Sequence, residues 1–156
     1  MRKIRVLCVG RKQETYLKSG IEIYLKKLQR YCEIEFKTIR EAIYSSGTMT
    51  QWHAKEWKEI QSQLHNNSFL IVCDEKGSTL SSKAFARKLE DVALQGFSNI
   101  DFVIGGAYGL PAEVKSRANL VLSLSPMTFT HQMFRLFLVE QIYRAFTILK
   151  GEKYHH

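Results

Sequence analysis

Four side chains able to do chemistry ride on one otherwise apolar stretch. They are His131, Arg135, Glu140 and Arg144, in NLVLSLSPMTFTHQMFRLFLVEQIYRAFTILK at residues 119–150. Wound at about 3.6 residues per turn, Phe134, Phe137, Leu138, Ile142, Ala145 and Leu149 spread round the axis, with Leu136, Val139, Tyr143 and Phe146 between them. A helix with no wet side is buried in a core or in a subunit contact. Charges on such a helix must find partners or mark a site. Glu140 and Arg144 stand at i, i+4 in the order that favours pairing. His131 and Arg135 have the same spacing on another face and no acid near them in sequence. A phosphate or a nucleobase edge would suit them.

Just before this helix, Leu124-Ser125-Pro126-Met127-Thr128-Phe129 puts hydroxyls, backbone groups and apolar side chains into one short loop. That mixture suits an amphipathic small molecule such as a nucleoside cofactor. It also reads as a plain helix start, with Thr128 or Thr130 as cap and Pro126 stiffening the entry. Gly105, Gly106 and Gly109 follow an apolar run. Glycine lets backbone approach a ligand closely, but neither G-x-G-x-x-G nor G-x-x-x-x-G-K-[ST] is met. The same glycines fit a tight turn with no ligand. The terminal Lys153-Tyr154-His155-His156 either frays or folds an aromatic and an imidazole back onto a site. No Ser-His-Asp order, H-E-x-x-H or Cys-x-x-Cys is present, so hydrolase and metal sites have no support.

The elements that must position these groups alternate. Residues 4–9 form an apolar run closed by Gly10, which fits a buried strand. Leu17, Ile21, Tyr24, Leu25 and Leu28 then recur at helical spacing. Residues 33–39 alternate as a second strand, near an edge. A loop follows at 44–50, then a helix carrying Trp57, Ile60 and Leu64. A third strand, 69–73, ends in Asp74-Glu75-Lys76-Gly77. Phe85, Leu89 and Val92 mark a helix that Ser81 or Ser82 caps. A fourth strand, 100–104, runs into the glycines, and Pro111 opens a short helix. The order β-α-β-α-β-α-β-α-β-α predicts one doubly wound α/β domain over 1–156, with a mostly parallel sheet and helices on both faces. Ligands of such sheets sit at the carboxyl ends of the strands. Loops 73–77, 105–110 and 123–130 lie there.

Composition bounds the rest. At 156 residues, 45% apolar and 24% charged, the chain can bury a real core. No run reaches membrane-span length and the start does not read as a secretory signal, so a cytoplasmic protein is expected. Cys8, Cys32 and Cys73 lack metal spacing and read as buried thiols. A formal net charge of +8 suggests a polyanionic partner, nucleic acid first.

The run DFVIGGAYGL, then LSLSPMTFTHQMFRLFLVEQIYRAF, then a terminal YH, resembles the ribosomal RNA large-subunit methyltransferase H family of small SPOUT-class enzymes. The likeness covers essentially the whole chain, including the RKIRVLCVG start. It implies a doubly wound domain whose C-terminal part is tied in a trefoil knot. It implies N3-methylation of a pseudouridine in 23S ribosomal RNA, with S-adenosylmethionine as donor and no metal. By motif position the cofactor contacts fall on Cys73, where the family pattern has leucine, on Gly105, and on Leu124, Ser125, Pro126, Met127, Thr128 and Phe129. The family resemblance also implies a homodimer with the long last helix at the subunit contact. For the chemistry, Arg135 and Arg144 would stabilise the developing uracil anion or grip phosphates. Glu140 or His155 would accept the proton, and Tyr154 would stack on the base. Two other readings stand beside this one: a SPOUT enzyme acting on transfer RNA, and a ribosome-associated RNA-binding factor that does not turn over.

Overall fold

The computed structural model describes residues 2–41 and 47–156. Ten elements appear in the expected alternation: β1 Lys3–Val9, α1 Thr15–Leu28, β2 Glu33–Ile39, α2 Met49–Gln63, β3 Ser68–Thr79, α3 Ser82–Leu94, β4 Asn99–Ile104, α4 Ala112–Arg117, β5 Leu120–Ser123 and α5 His131–Leu149. The strands form one five-stranded sheet in the order β2-β1-β4-β3-β5, with every pairing parallel. β2 is at an edge, as its alternating pattern predicts.

Period-two alternation sends the strand side chains into two cores. Ile4, Val6 and Cys8 of β1, with Ile71, Ile100 and Phe102, face α1, α3 and α5. Leu7 and Val9, with Leu70, Val72 and Val103, face Ile60 of α2 and Val114 of α4. Helices thus cover both faces, and each fully buried aliphatic or aromatic side chain contributes about 1.5–3 kcal/mol. The starts of α3 and α5 are capped by side chains. Ser81 Oγ accepts from Ala84 N at 3.1 Å, and Thr130 Oγ1 accepts from Met133 N at 3.2 Å. Such caps are worth about 1 kcal/mol each. The loop expected at 44–50 lies partly outside the described residues. Within its described part, Thr48 caps α2 in a reciprocal box with Gln51.

One expectation needs correction. β3 does not end at Cys73. The Cys73↔Leu122 pairing breaks over 74–77, and the ladder resumes at Ser78↔Leu122 and Thr79↔Ser123. The reason is Gly77. A Cβ there would stand 2.7 Å from both Leu122 C and Val121 O. Only a bare glycine lets β3 lie this close on the β5 backbone.

In the central strand, Asp101 of β4 is fully buried. Its carboxylate accepts from the His65 backbone N–H at 2.8 Å and from His65 Nδ1 at 2.7 Å. Both oxygens are thereby partnered, as a buried carboxylate requires. The three cysteines are buried and unpaired. Burial pushes the Cys8 and Cys32 thiols up to about 12, and pushes Cys73 up as well. Thiolate is the reactive form, so raising these groups silences them at mildly alkaline pH. We therefore expect no thiol of the native protein to react with DTNB, and all three to react in denaturant. Rapid release from the native chain would contradict the burial.

Candidate active site

The carboxyl edge of the sheet carries a cleft of about 360 Å³. Three loops close it. Cys73, Asp74 and Glu75 come from the break in β3, the residues from Gly105 to Leu110 other than Tyr108 from the bend after β4, and Ser123 to Phe129 other than Pro126 from the end of β5 and the turn after it. His131 and Phe134, on the first turn of α5, complete the wall.

The bend after β4 leaves no room for side chains. A Cβ on Gly105 would meet Leu110 Cγ at 2.9 Å, and one on Gly106 would clash with Glu41 Oε1 and meet Val9 O at 3.0 Å. Main chain is therefore what this wall presents. The turn after β5 braces itself with its own hydroxyls. Ser123 Oγ donates to Ser125 O at 2.9 Å, and Ser125 Oγ accepts from Met127 N at 2.9 Å. Thr128 Oγ1 donates across the cleft to Glu75 Oε2 at 3.2 Å, joining two of the loops. Asp74 pairs with Lys115 at 2.7 Å and accepts from Lys76 N at 2.8 Å. Burial alone would raise its carboxyl, but the bonds from Lys115 and Lys76 hold it below the usual carboxylate range.

A second group forms where the chain end returns to α5. Gly151 takes the left-handed conformation at φ +66. Gly151 N donates to Ile148 O at 3.1 Å and Glu152 N to Thr147 O at 2.9 Å, which reverses the chain as in a Schellman motif. Tyr31 Oη then pins the tail by donating to Glu152 Oε2 at 2.7 Å. The tail is folded back, not frayed. Glu140 Oε1 accepts from Arg144 Nη2 at 2.7 Å, Arg144 Nε at 3.1 Å and Tyr154 Oη at 3.0 Å. Glu140 Oε2 accepts from Gln141. The Arg144 guanidinium lies 4.7 Å from the Tyr154 ring centre and reaches His155 Nδ1 at 3.2 Å.

The bond from Glu140 raises the Arg144 guanidinium further. Burial, then the Tyr24 and Glu140 partners, raises the Tyr154 phenol above its ordinary value. Both groups stay protonated at neutral pH. Arg144 has only donors, so Nδ1 of His155 is the acceptor in their contact.

The sequence-predicted residues thus fall into two sets and one outlier. Cys73, Gly105, Leu124, Ser125, Met127, Thr128 and Phe129 line the cleft; Pro126 shapes the same turn from outside the lining. Glu140, Arg144, Tyr154 and His155 form the α5–tail cluster. Glu140 opens into a second hollow of about 250 Å³ that shares Ser123, Leu124 and Phe129 with the cleft. The Phe129 wall therefore stands between the two sets. Arg135 belongs to neither. It is fully buried and donates to Arg11 O at 2.7 Å and Val9 O at 3.4 Å. Asp74 and Glu75 are cleft residues that the sequence placed in a loop at the carboxyl edge without giving them a role. Their signal was position, immediately beyond apolar strands at the carboxyl edge.

Sheet, edge and cleft define an α/β protein with a cleft of small-ligand size at the carboxyl ends of its strands. The chain belongs to the SPOUT methyltransferase family: the family model described as "Predicted SPOUT methyltransferase" matches residues 2–155. It is accordingly a methyltransferase. Among curated relatives it is similar to the Ribosomal RNA large subunit methyltransferase H of Halothermothrix orenii, 43% identical over 157 residues, covering 98% of this chain and 99% of that protein. The protein of the same name from Clostridium perfringens is 44% identical over 158 residues, covering 97% and 98%. Among solved structures, a probable methylase family protein from Haemophilus influenzae Rd KW20 superposes with a TM-score of 0.55 at 12% identity, over 98% of this chain and 70% of that one. This likeness speaks to the fold alone.

Proposed function

We propose that the protein methylates N3 of a pseudouridine in 23S ribosomal RNA, with S-adenosylmethionine as donor, as a cytoplasmic homodimer of one-domain chains. The observation that carries this reading is the meeting of Cys73, Gly105 and the 124–129 turn at one cleft, in a chain so similar to ribosomal RNA methyltransferases. Among the described residues no helix is long and apolar enough to cross a membrane, and no cluster could hold a metal ion.

The cleft fits the donor. Its volume falls within the roughly 300–1,000 Å³ of small-molecule sites. The bare backbone of Gly105 and Gly106 can approach a nucleoside edge. Leu110, Leu124 and Phe129 offer apolar cover, and Asp74 and Glu75 put negative charge near a cationic ligand. When bound, S-adenosylmethionine supplies an electrophilic methyl group on a sulfonium; the protein supplies orientation and electrostatics.

On the acceptor side, Glu140 is fully engaged as an acceptor, so its part is to hold Arg144 and Tyr154. Serving as a base would require it to drop them. His155, half-buried, keeps its second ring nitrogen available as a donor, and Arg144 stays cationic. Both suit the oxygen of a uracil ring as its N3–H is lost and negative charge spreads to the carbonyls. Tyr154 remains a phenol that donates to Glu140 while its face meets Arg144. Arg135, shut in the core, is left out of the chemistry.

Half-covered Leu136 and Phe137, with exposed Met133, form an apolar strip on α5 that a second copy would cover. Such a copy also offers a way round the Phe129 wall, by bringing one chain's cluster towards the other's cleft. The close lie of Gly77 on the β5 backbone is the kind of contact a knotted C-terminal part would demand. The deciding experiment is mass spectrometry of 23S ribosomal RNA from cells lacking the protein. One missing methyl group, restored by the gene, is expected; an unchanged modification pattern would remove the assignment.

A further inference from the structure

We propose that Arg11 and Lys12, in the loop after β1, are the grip that holds an RNA phosphate beside the methyl-donor cleft, and that buried Gln132 and Arg135 are the positioning residues that set this loop. The inference rests on the RNA-methylating reading above and deepens it.

Gln132 and Arg135 lie on one face of α5 at i, i+3, exposed 7% and 0%. Every side-chain hydrogen bond they make goes to the main chain running out of β1. Arg135 donates to Val9 O and Arg11 O. Gln132 Nε2 donates to Lys12 O at 3.3 Å, and its Oε1 accepts from Glu14 N at 3.2 Å. A guanidinium buried in this way normally faces a carboxylate. Among the described residues no ion pair involves Arg135, and its Nε has no partner. What it does instead is fix a backbone.

The consequence is directional. With the carbonyls of Arg11 and Lys12 turned in toward α5, both side chains remain exposed, and neither enters an ion pair among the described residues. The loop also sits against the cleft. A Cβ on Gly10 would lie 3.4 Å from Arg135 Nη2 and 4.0 Å from Gly106 Cα, and Gly106 lines the cleft. The carboxylate of Glu41 leans over Gly106 and pairs with neither cation. Two free cations of different geometry on a stapled loop suit a phosphodiester: Arg binds two oxygens at once and Lys acts as a point charge. The unneutralised Arg135 behind them adds to the same positive field.

The test uses the full-length protein and a fluorescein-labelled RNA hairpin carrying a large-subunit ribosomal RNA sequence, with anisotropy read across a range of KCl concentrations. R11Q/K12Q should weaken binding about tenfold at fixed salt and flatten the slope of log affinity against log salt by about 0.7, for the one phosphate held. Its affinity for S-adenosylmethionine should not change. K83Q/R87Q, which removes the same charge from the exposed surface of α3, should leave the slope near wild type. Gln132→Ala should raise the KM for RNA with little change in kcat, and it stands in for Arg135→Met should that chain fail to fold. If R11Q/K12Q keeps the wild-type slope, or loses no more than K83Q/R87Q, while the wild type binds and methylates, the grip is overturned and the RNA reading survives. If the wild type itself binds no RNA at any salt, both fall.

Discussion

Glu140→Ala slows methyl transfer by about 100-fold or more at saturating donor, roughly 3 kcal/mol of transition-state stabilisation, with the dissociation constant of S-adenosylmethionine unchanged. The expectation follows from how much one carboxylate oxygen holds. Glu140 Oε1 takes two N–H groups of Arg144 and the hydroxyl of Tyr154, and Arg144 in turn holds His155. Removing the carboxylate frees a long cation, a phenol and an imidazole together. Misplacing catalytic groups by about 1 Å is enough for a loss near 10²-fold. Donor binding should be spared, because Glu140 belongs to the neighbouring hollow and not to the cleft. Glu140→Gln should recover part of the rate, since an amide oxygen still accepts. Single-turnover kinetics and calorimetry on the same preparations decide it. A rate within threefold of wild type for the alanine variant, or a matching loss of donor affinity, would mean that the cluster does not act in the reaction as described.

Gly77→Ala is the second large effect, and it acts on the fold. The added methyl would stand 2.7 Å from Val121 O and Leu122 C and 2.8 Å from Leu122 N. All three are backbone atoms of a strand that also pairs with Cys73 and Ser78, so no side chain can swing away to make room. Overpacking of this kind costs about 3 kcal/mol. In a chain of this size that lowers Tm by roughly 6–12 °C. The same shift would displace Asp74 and Glu75, so donor affinity should fall as well. Gly96→Ala is the control. Its Cβ meets nothing within 4 Å, and only its backbone at φ +90 is strained. Thermal unfolding of both variants separates the effects: a Gly77→Ala transition no lower than that of Gly96→Ala would refute the crowding argument.

The alternation of elements was legible because burial follows local periodicity. The runs at 4–9 and 100–104 and the helical spacing of Leu17, Ile21 and Leu28 needed no partner to be recognised. The cleft residues were legible for a related reason. In a parallel α/β sheet, loops that follow strands must gather at one edge. What escaped was the continuation of β3 past Cys73. DEKGST looks like a polar turn, and the steric fit of Gly77 on β5 exists only once two distant segments meet.

Arg135 marks the same limit. By sequence it was an unpartnered cation on an apolar helix, to be matched with a phosphate or a nucleobase edge. Its partners are the carbonyls of Val9 and Arg11, more than 120 residues away, and backbone carbonyls carry no sequence signal. The sequence by itself determined the layers, the edge at which the cleft forms and the Glu140–Arg144 pair, because each depends on spacing along one element. Only the tertiary structure decided that the tail returns to that pair, that Phe129 stands between pair and cleft, and that a buried arginine fixes a loop from the far end of the chain. Those facts depend on which surfaces pack together, and hydrogen bonds between residues distant in sequence are formed by packing, not by pattern.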